Sequence, residues 1–307
     1  PITDLCNLQY LTSVGGSLTI RDFNVMGNPT NLDALCNLTT VGGNLNIGSG
    51  ANDNNSSFTS INLSGLTSVG ANFTISHNPN VTSIAYPGVS VVGTLQILNN
   101  ASASSISGFT GTVGNVSITL NGALNTINLG FSAVTGNLTV QNNGMSVTTI
   151  NLSSLGSVGG NLSMNNTAAN AISANINLSS LTMVGGNMQL TRAIGTLNAT
   201  SLNNVGNNLI ITNNPAATFT SFDGSFSSLT NVGGNLTIQN NTNLSTCCRV
   251  LCEITVGGTK TIIGNASGCS SMADITATCT PPACPTGQTR NTDPGVCTYT
   301  AHSNEFD

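Results

Sequence analysis

The sequence predicts an all-β chain wound as a right-handed β-solenoid of about eleven coils of 21–28 residues, with a disulfide-tied C-terminal cap. Three observations carry this. One motif recurs at a mean spacing of about 24 residues. Within it apolar and polar residues alternate with the two-residue period of a strand. And only 5% of the 307 residues are charged, where about a quarter is usual, while 46 are Asn and 34 Gly. That composition excludes helical bundles and coiled coils, which need Ala, Glu, Lys and Leu. Five scattered Lys and Arg cannot neutralise a phosphate backbone, so nucleic acid is excluded as a partner. A net charge of −5 is too small for a charge-repelled disordered tail. No apolar run reaches the roughly 18–20 residues of a membrane span, and no signal segment opens the sequence.

Each coil begins with a Val-Gly-Gly string, intact from Val14, Val41, Val158, Val184, Val232 and Val256 and degenerate at Val69-Gly70-Ala71 and Val205-Gly206-Asn207. The paired glycines are expected to turn the chain into the strand, through positive φ and close backbone approach. Four positions after the Val lies an inward apolar residue: Leu18, Leu45, Phe73, Leu95, Val116, Leu138, Leu162, Met188, Leu209 and Leu236, with Lys260 in an odd eleventh copy. The next position points outward. Thr19, Thr74, Thr139, Thr237 and Thr261 occupy it, interrupted by Asn46, Gln96, Ser117, Ser163, Gln189 and Ile210. The interruptions argue against the regular Thr array of an ice-binding surface. Three residues after the second inward residue an Asn recurs in seven of eleven copies: Asn78, Asn100, Asn121, Asn143, Asn214, Asn241 and Asn265. A small amide at a tight inward bend can bond the backbone of neighbouring coils, giving a ladder.

A second short strand follows, as in Val81–Ile84, Leu124–Ile127 and Val147–Ile150. An apolar residue every third position then leads to the next coil, as in Leu63, Leu66, Val69 or Leu178, Leu181, Val184. Eleven such coils, about 4.8 Å apart, make a rod on the order of 50 Å long. The scarcity of aromatics suits a narrow interior of Leu, Ile and Val layers.

Repeats occupy residues 1–246, the last coil and a Cys-rich cap 247–280, and a linker with the beginning of a further β module 281–307. Seven of nine Cys fall in the last two segments: Cys247, Cys248, Cys252, Cys269, Cys279, Cys284 and Cys297. Cys6 and Cys36 each sit in Leu-Cys-Asn-Leu one coil apart. A 6–36 disulfide is one reading, two small buried thiols the other. Nine is odd, so one Cys is free or pairs outside these residues, as expected of part of a longer chain. Spacing disfavours metal, because no pair is CxxC and His77 and His302 are remote. Disulfide use points to an exported location.

The Leu-Thr-Ser-Val-Gly-Gly-Asn-Leu-Thr-Ile-x-x-Asn style of repeat, over residues 11 to about 265, resembles the receptor L-domain type of leucine-rich solenoid. Cys247-Cys248, Thr255–Gly258 and Gly264–Cys269 are similar to the end of such arrays in secreted Bacteroidota proteins. The stretch from Cys284-Pro285 to Asp293–Cys297 looks like the opening of a hyalin-repeat-type, immunoglobulin-like module. The resemblance implies a long adhesin or surface filament exported by a type IX system.

Catalytic candidates are few. Asp4, Asp22, Asp33, Asp53, Asp223, Asp274, Asp293, Asp307, Glu253 and Glu305 do not recur at the repeat period, so they form no carboxylate row; Asp22 and Asp53, in irregular early turns, are read as solvated loop residues, with a shared site between them the alternative. His77 is expected to be an exposed turn residue. Eighteen Asn-x-Ser/Thr sequons, including Asn72, Asn137, Asn161 and Asn235, are expected to reflect the repeat's structural needs rather than glycosylation. No cofactor is expected. The functional expectation is a non-enzymatic extracellular module, an adhesin, filament former or rigid spacer. Its expected partners are glycans, other surface components or its own copies. The alternative is a polysaccharide-active β-helix enzyme.

Overall fold

Eleven strands, from Leu18–Ile20 through Leu236–Gln239 to Lys260–Ile263, stack in sequence order as one continuous parallel sheet. This computed structural model describes residues 5–25, 27–48, 50 and 55–279, which covers all eleven coils of a β-solenoid. The register is that of the repeat: Leu18 pairs Leu45, Leu45 pairs Phe73, and so on to Leu236 with Lys260. Inward residues therefore stack on inward residues, and almost all are fully buried.

The rest of each coil forms a second side. Two-residue strands at each Val, such as Ser13–Val14, Thr40–Val41, Ser68–Val69 and Ser90–Val91, pair only with their equivalents in neighbouring coils. The later column, from Ser157–Val158 to Thr255–Val256, joins the second short strands in another eleven-stranded sheet. The junction lies at Ser105–Val113 and Thr126–Val134, nine residues each, which run through the corner that other coils make with a turn. Gly108, Phe109 and Gly111, at φ +86°, +50° and +76°, bend the first of them. Elsewhere the corner is the expected three-residue step, with Leu63, Leu66, Val69 and Leu178, Leu181, Val184 all buried. The second strands start two residues later than expected, at Ser83, Thr126 and Thr149; Val81, Leu124 and Val147 instead pack their side chains inward from the turn before.

Aromatics are few, and most of those described are inside. Phe73, Tyr86, Phe109 and Phe131 are buried and touch across successive coils, with centroids 4.9–6.2 Å apart. Phe23, Phe58, Phe219, Phe222 and Phe226 are buried in other coils, so the interior accommodates rings along much of its length. Tyr86 donates its buried hydroxyl to the Ile61 carbonyl, and burial pushes its pKa up.

At the C-terminal side the helices α1 (Phe222–Ser225), α2 (Arg249–Cys252) and α3 (Met272–Thr278) replace strands. Disulfides Cys247–Cys269 and Cys248–Cys279, with Cα atoms 5.7 and 5.5 Å apart, tie the cap together as the composition predicted. Cys36 is a free, exposed thiol, which corrects both expectations for it, the bridge to Cys6 and the buried thiol. The side chains of Cys6 and Cys252, together with Cys284, Cys297 and the expected β module at 281–307, lie outside the described residues. No helix among the described residues is long and apolar enough to cross a membrane.

Candidate functional site

Two amide ladders, one inside and one at the surface, fix the geometry of the exposed face. In the inner ladder Asn78 donates its Nδ2 to Asn100 Oδ1 at 2.9 Å, Asn100 to Asn121 at 3.2 Å and Asn121 to Asn143 at 3.0 Å. Asn214 donates likewise to Asn241 at 2.9 Å, and Asn241 to Asn265 at 3.0 Å. The same Oδ1 atoms accept the backbone N–H of the preceding rung, and the Nδ2 groups also bond carbonyls of the preceding coil, Asn121 to Ile97 for example. All seven expected rungs are buried, which only such saturation makes tolerable.

Two buried ladder-side Asn were missed, one of them a rung. Asn55 is fully buried and donates to Asn78, although it lies eight residues after Ile47 instead of three. The loop inserted before it hides it from a spacing rule. Asn166, one residue early, accepts the Asn142 N–H instead of an amide rung. In the next coil Ala193 holds the slot, and the N–H groups of Ala193 and Ile194 both bond Asn214 Oδ1. The ladder is therefore broken between Asn143 and Asn214.

The residue before the slot adopts a left-handed conformation in most coils: Asp22, His77, Asn99, Leu120, Asn142, Arg192, Asn213 and Asn240 have φ of +49° to +67°. Asn tolerates this region; Leu, Arg and His do so at a cost. His77 is half-buried, a correction to its expected exposure, because the turn folds its ring against the coil; its Nδ1 has no hydrogen-bond partner.

The outer ladder precedes each strand. The Oδ1 atoms of Asn72, Asn137, Asn161 and Asn235 accept the N–H groups of Thr94, Asn161, Asn187 and Thr259 at 2.7–2.8 Å. The sequons at these positions thus have a structural origin. The second glycine of the string gives way to this ladder: a Cβ at Gly160, Gly186 or Gly234 would strike the Asn side chain of the coil before. At the first, such as Gly159 or Gly185, it would strike that coil's backbone. None of these glycines has positive φ. Close approach, and not a left-handed turn, is their reason, which corrects half of the expectation.

Between the ladders the outward row runs in register from Thr19 through Asn46, Thr74, Gln96, Ser117, Thr139, Ser163, Gln189, Ile210 and Thr237 to Thr261. It bears no charge. The face is interrupted by a recess of about 440 Å³ among Thr19, Arg21, Asn46, Gly48 and Thr74.

Asp223 and Asp274 serve structural ends. Asp223 accepts the N–H groups of Cys248 and Arg249, capping the start of α2. Burial pushes its pKa up, opposed by those two bonds and by the Arg249 charge. Arg249 in turn donates to the Ser227 and Leu229 carbonyls and lies 3.3 Å from Glu253. Asp274 accepts from the Ser270 hydroxyl and from the N–H groups of Ser270 and Gly268, and these bonds hold its carboxyl below the usual range. Asp22 pairs with Arg21 at 3.7 Å. Asp53, its expected partner in a site, lies outside the described residues, as do Asp4, Asp293, Asp307, Glu305 and His302. Among the described residues no three His, Cys, Asp or Glu converge as metal ligands.

These features define a disulfide-capped parallel β-solenoid with a flat, neutral, hydroxyl- and amide-bearing face. Comparisons with protein-family models, curated proteins and solved structures find no match.

Proposed function

We propose that the protein is a non-enzymatic extracellular module, an adhesive rod of receptor L-domain-like character, that holds glycan or another surface component against its long sheet. The observation that carries this is the outward row, eleven strands in register and without a charge. Hydroxyl and amide groups at a spacing of about 4.8 Å can hydrogen-bond a polyhydroxylated surface at many points, each weak and together additive. Two disulfides favour an oxidising location, and a surface protein of the type IX-exported Bacteroidota kind is the finer form of this proposal. Of the carboxylates that the fold brings near each other around Arg249, Asp223 caps α2 and Glu253 pairs with Arg249, structural uses that favour binding over polysaccharide cleavage. The test is retention of the chain on a panel of insoluble polysaccharides and surface materials. Retention that persists at high salt is expected from neutral hydrogen bonding; failure across the whole panel leaves only a spacer role.

A second reading, end-to-end self-association, is favoured by the N-terminal coil. The strands Ser13–Val14 and Leu18–Ile20 pair on one side only among the described residues, beside an apolar recess of about 320 Å³ that includes Leu5, Leu8, Leu18 and Phe23. Electron microscopy showing filaments supports it, and monodisperse short rods count against it.

A further inference from the structure

We propose that Arg192 is the recognition point for a carboxylate-bearing unit of an acidic polysaccharide held along the long sheet. This rests on the glycan-binding reading above and names a subsite and a ligand class for it.

Residues 54–222 contain no Asp, Glu or Lys, and no Arg other than Arg192. Every strand of the long sheet from Phe73–Ser76 to Leu209–Thr212 lies in that stretch. Each coil meets only its neighbours, so the coil of Arg192 and those on both sides of it hold no carboxylate to neutralise it. Among the described residues its guanidinium makes neither an ion pair nor a hydrogen bond. The other described cations are engaged. Arg21 lies 3.7 Å from Asp22, Arg249 donates to the Leu229 carbonyl and pairs with Glu253, and Lys260 donates to the Val250 carbonyl.

The backbone makes an arginine unfavourable at this position. Arg192 directly follows the strand Met188–Thr191 and has a φ of +51°. The same corner is Asn142, Asn213 and Asn240 in other coils, at φ of +49° to +57°. Asparagine tolerates this left-handed region, whereas a long side chain adopts it at a cost. The equivalence is direct for Asn213: Thr191 pairs Thr212 in register, and the Arg192 N–H donates to the Thr212 carbonyl at 3.2 Å. Arginine here thus gives up a backbone fit that asparagine would keep, and gains no polar contact within the chain in return. A strained residue with an unused charge marks a group whose partner is a ligand.

Asn213 supplies a second donor beside it. Its Oδ1 accepts from Asn240 Nδ2 at 3.3 Å, while its own Nδ2 donates to no described residue. Both side chains are half-buried, which limits competition from water. A guanidinium presents two parallel N–H donors to a carboxylate, and the neighbouring amide adds another. Gln189, on the strand that Arg192 ends, belongs to the neutral outward row. A saccharide chain lying on that row is therefore bordered by Arg192. A wholly neutral polymer leaves the guanidinium unmatched; one with acidic units matches row and corner together.

The experiment is a calorimetric titration of the full chain with an α-linked and a β-linked oligouronate, and with the same oligomers after reduction of their carboxyls to alcohols. At least one oligouronate is expected to bind the wild type, and to bind less tightly as salt is added. Arg192→Asn is expected to weaken it about tenfold or more. Because asparagine suits the backbone, the same variant is expected to melt no lower than the wild type. Arg192→Lys, which keeps the charge without the fork, is expected to fall between the two. Equal affinity for the reduced oligomers, or loss of binding with Arg21→Gln but not with Arg192→Asn, overturns the acidic subsite. So does an Arg192→Asn variant that melts well below the wild type, since Arg192 would then serve the fold. Absence of any oligouronate binding overturns it too, while retention on neutral polysaccharides still upholds the broader reading, so the two fail separately.

Discussion

Among the described residues the last coil is covered by a cap of different chemistry, whereas the strands of the first coil pair on one side only, although both are built from the same repeat. At the C-terminal end the cap stands in for a twelfth coil. Asn265 donates to the Cys269 carbonyl at 3.1 Å, where an inner rung elsewhere meets the next Asn. Ser271 makes an antiparallel bridge to Ile263 on the outer edge of the last strand. Lys260, in the slot of an inward Leu, extends its Nζ to the Val250 carbonyl at 2.6 Å. At the first coil Leu18 is only half-buried, Tyr10 is 82% exposed, and Ser17 replaces the Asn that begins the outer ladder. The repeat therefore specifies stacking but not termination. Ending a parallel sheet takes separate chemistry: a charge in an apolar slot, helices in place of strands, and cross-links.

The largest test of that contrast is removal of the Cys248–Cys279 bridge by paired Ser substitution. It closes a loop of 31 residues, so its loss is expected to destabilise the cap by about 3 kcal/mol. Hydrogen exchange should then accelerate at Lys260–Ile263 and leave the middle coils protected. Asn265→Ala follows, expected to cost about 2 kcal/mol because it strands the donors and acceptors of Ile238, Asn241 and Cys269; a denaturant melt compared with Asn265→Asp reads it.

Acid gives a smaller, signed effect. The Asp274 pKa is lowered in the folded chain, so its contribution is present above the unfolded carboxylate value and is lost as pH falls through the folded one. Asp223, raised by burial, acts oppositely: its contribution is full below its unfolded value and fades as pH rises through the folded one. Asp274→Asn is therefore expected to flatten the acid destabilisation of the cap in a pH series of melts, and Asp223→Asn to steepen it. Smallest of all, Ser17→Asn should replace the hydroxyl that accepts the Asn44 N–H with the amide oxygen used by later coils and stabilise the first coil by about 0.5 kcal/mol, read as slower exchange at Leu45–Ile47. A destabilised first coil would show that the Ser17 hydroxyl serves the Asn44 N–H better than an amide oxygen does.

Much of this was legible in the sequence because a solenoid is local in character. Each coil meets only its neighbours, so the spacing Leu-x-Ile-x-x-Asn set strand, inward face and rung together, and the seven expected rungs are all buried. Asn55 and Asn166 escaped because an insertion or a deletion of loop residues changes the count without changing where the chain returns. The role of the paired glycines was half seen: their sequence signals backbone freedom, whereas the contact that requires them belongs to the coil before. The recess at Gly48 was not visible at all, since a gap exists only relative to residues 27 positions before and 28 after it in the stack.

The sequence alone determined the coil, its period, its neutral surface and its cysteine-bound end, because period-two alternation and a repeated amide act through contacts that every copy makes alike. Only the tertiary structure decided which cysteines join, how the ladder breaks and resumes, and where the flat face opens beside Arg21. Those depend on how unequal coils come into register, and register is a property of the stack and not of any one copy.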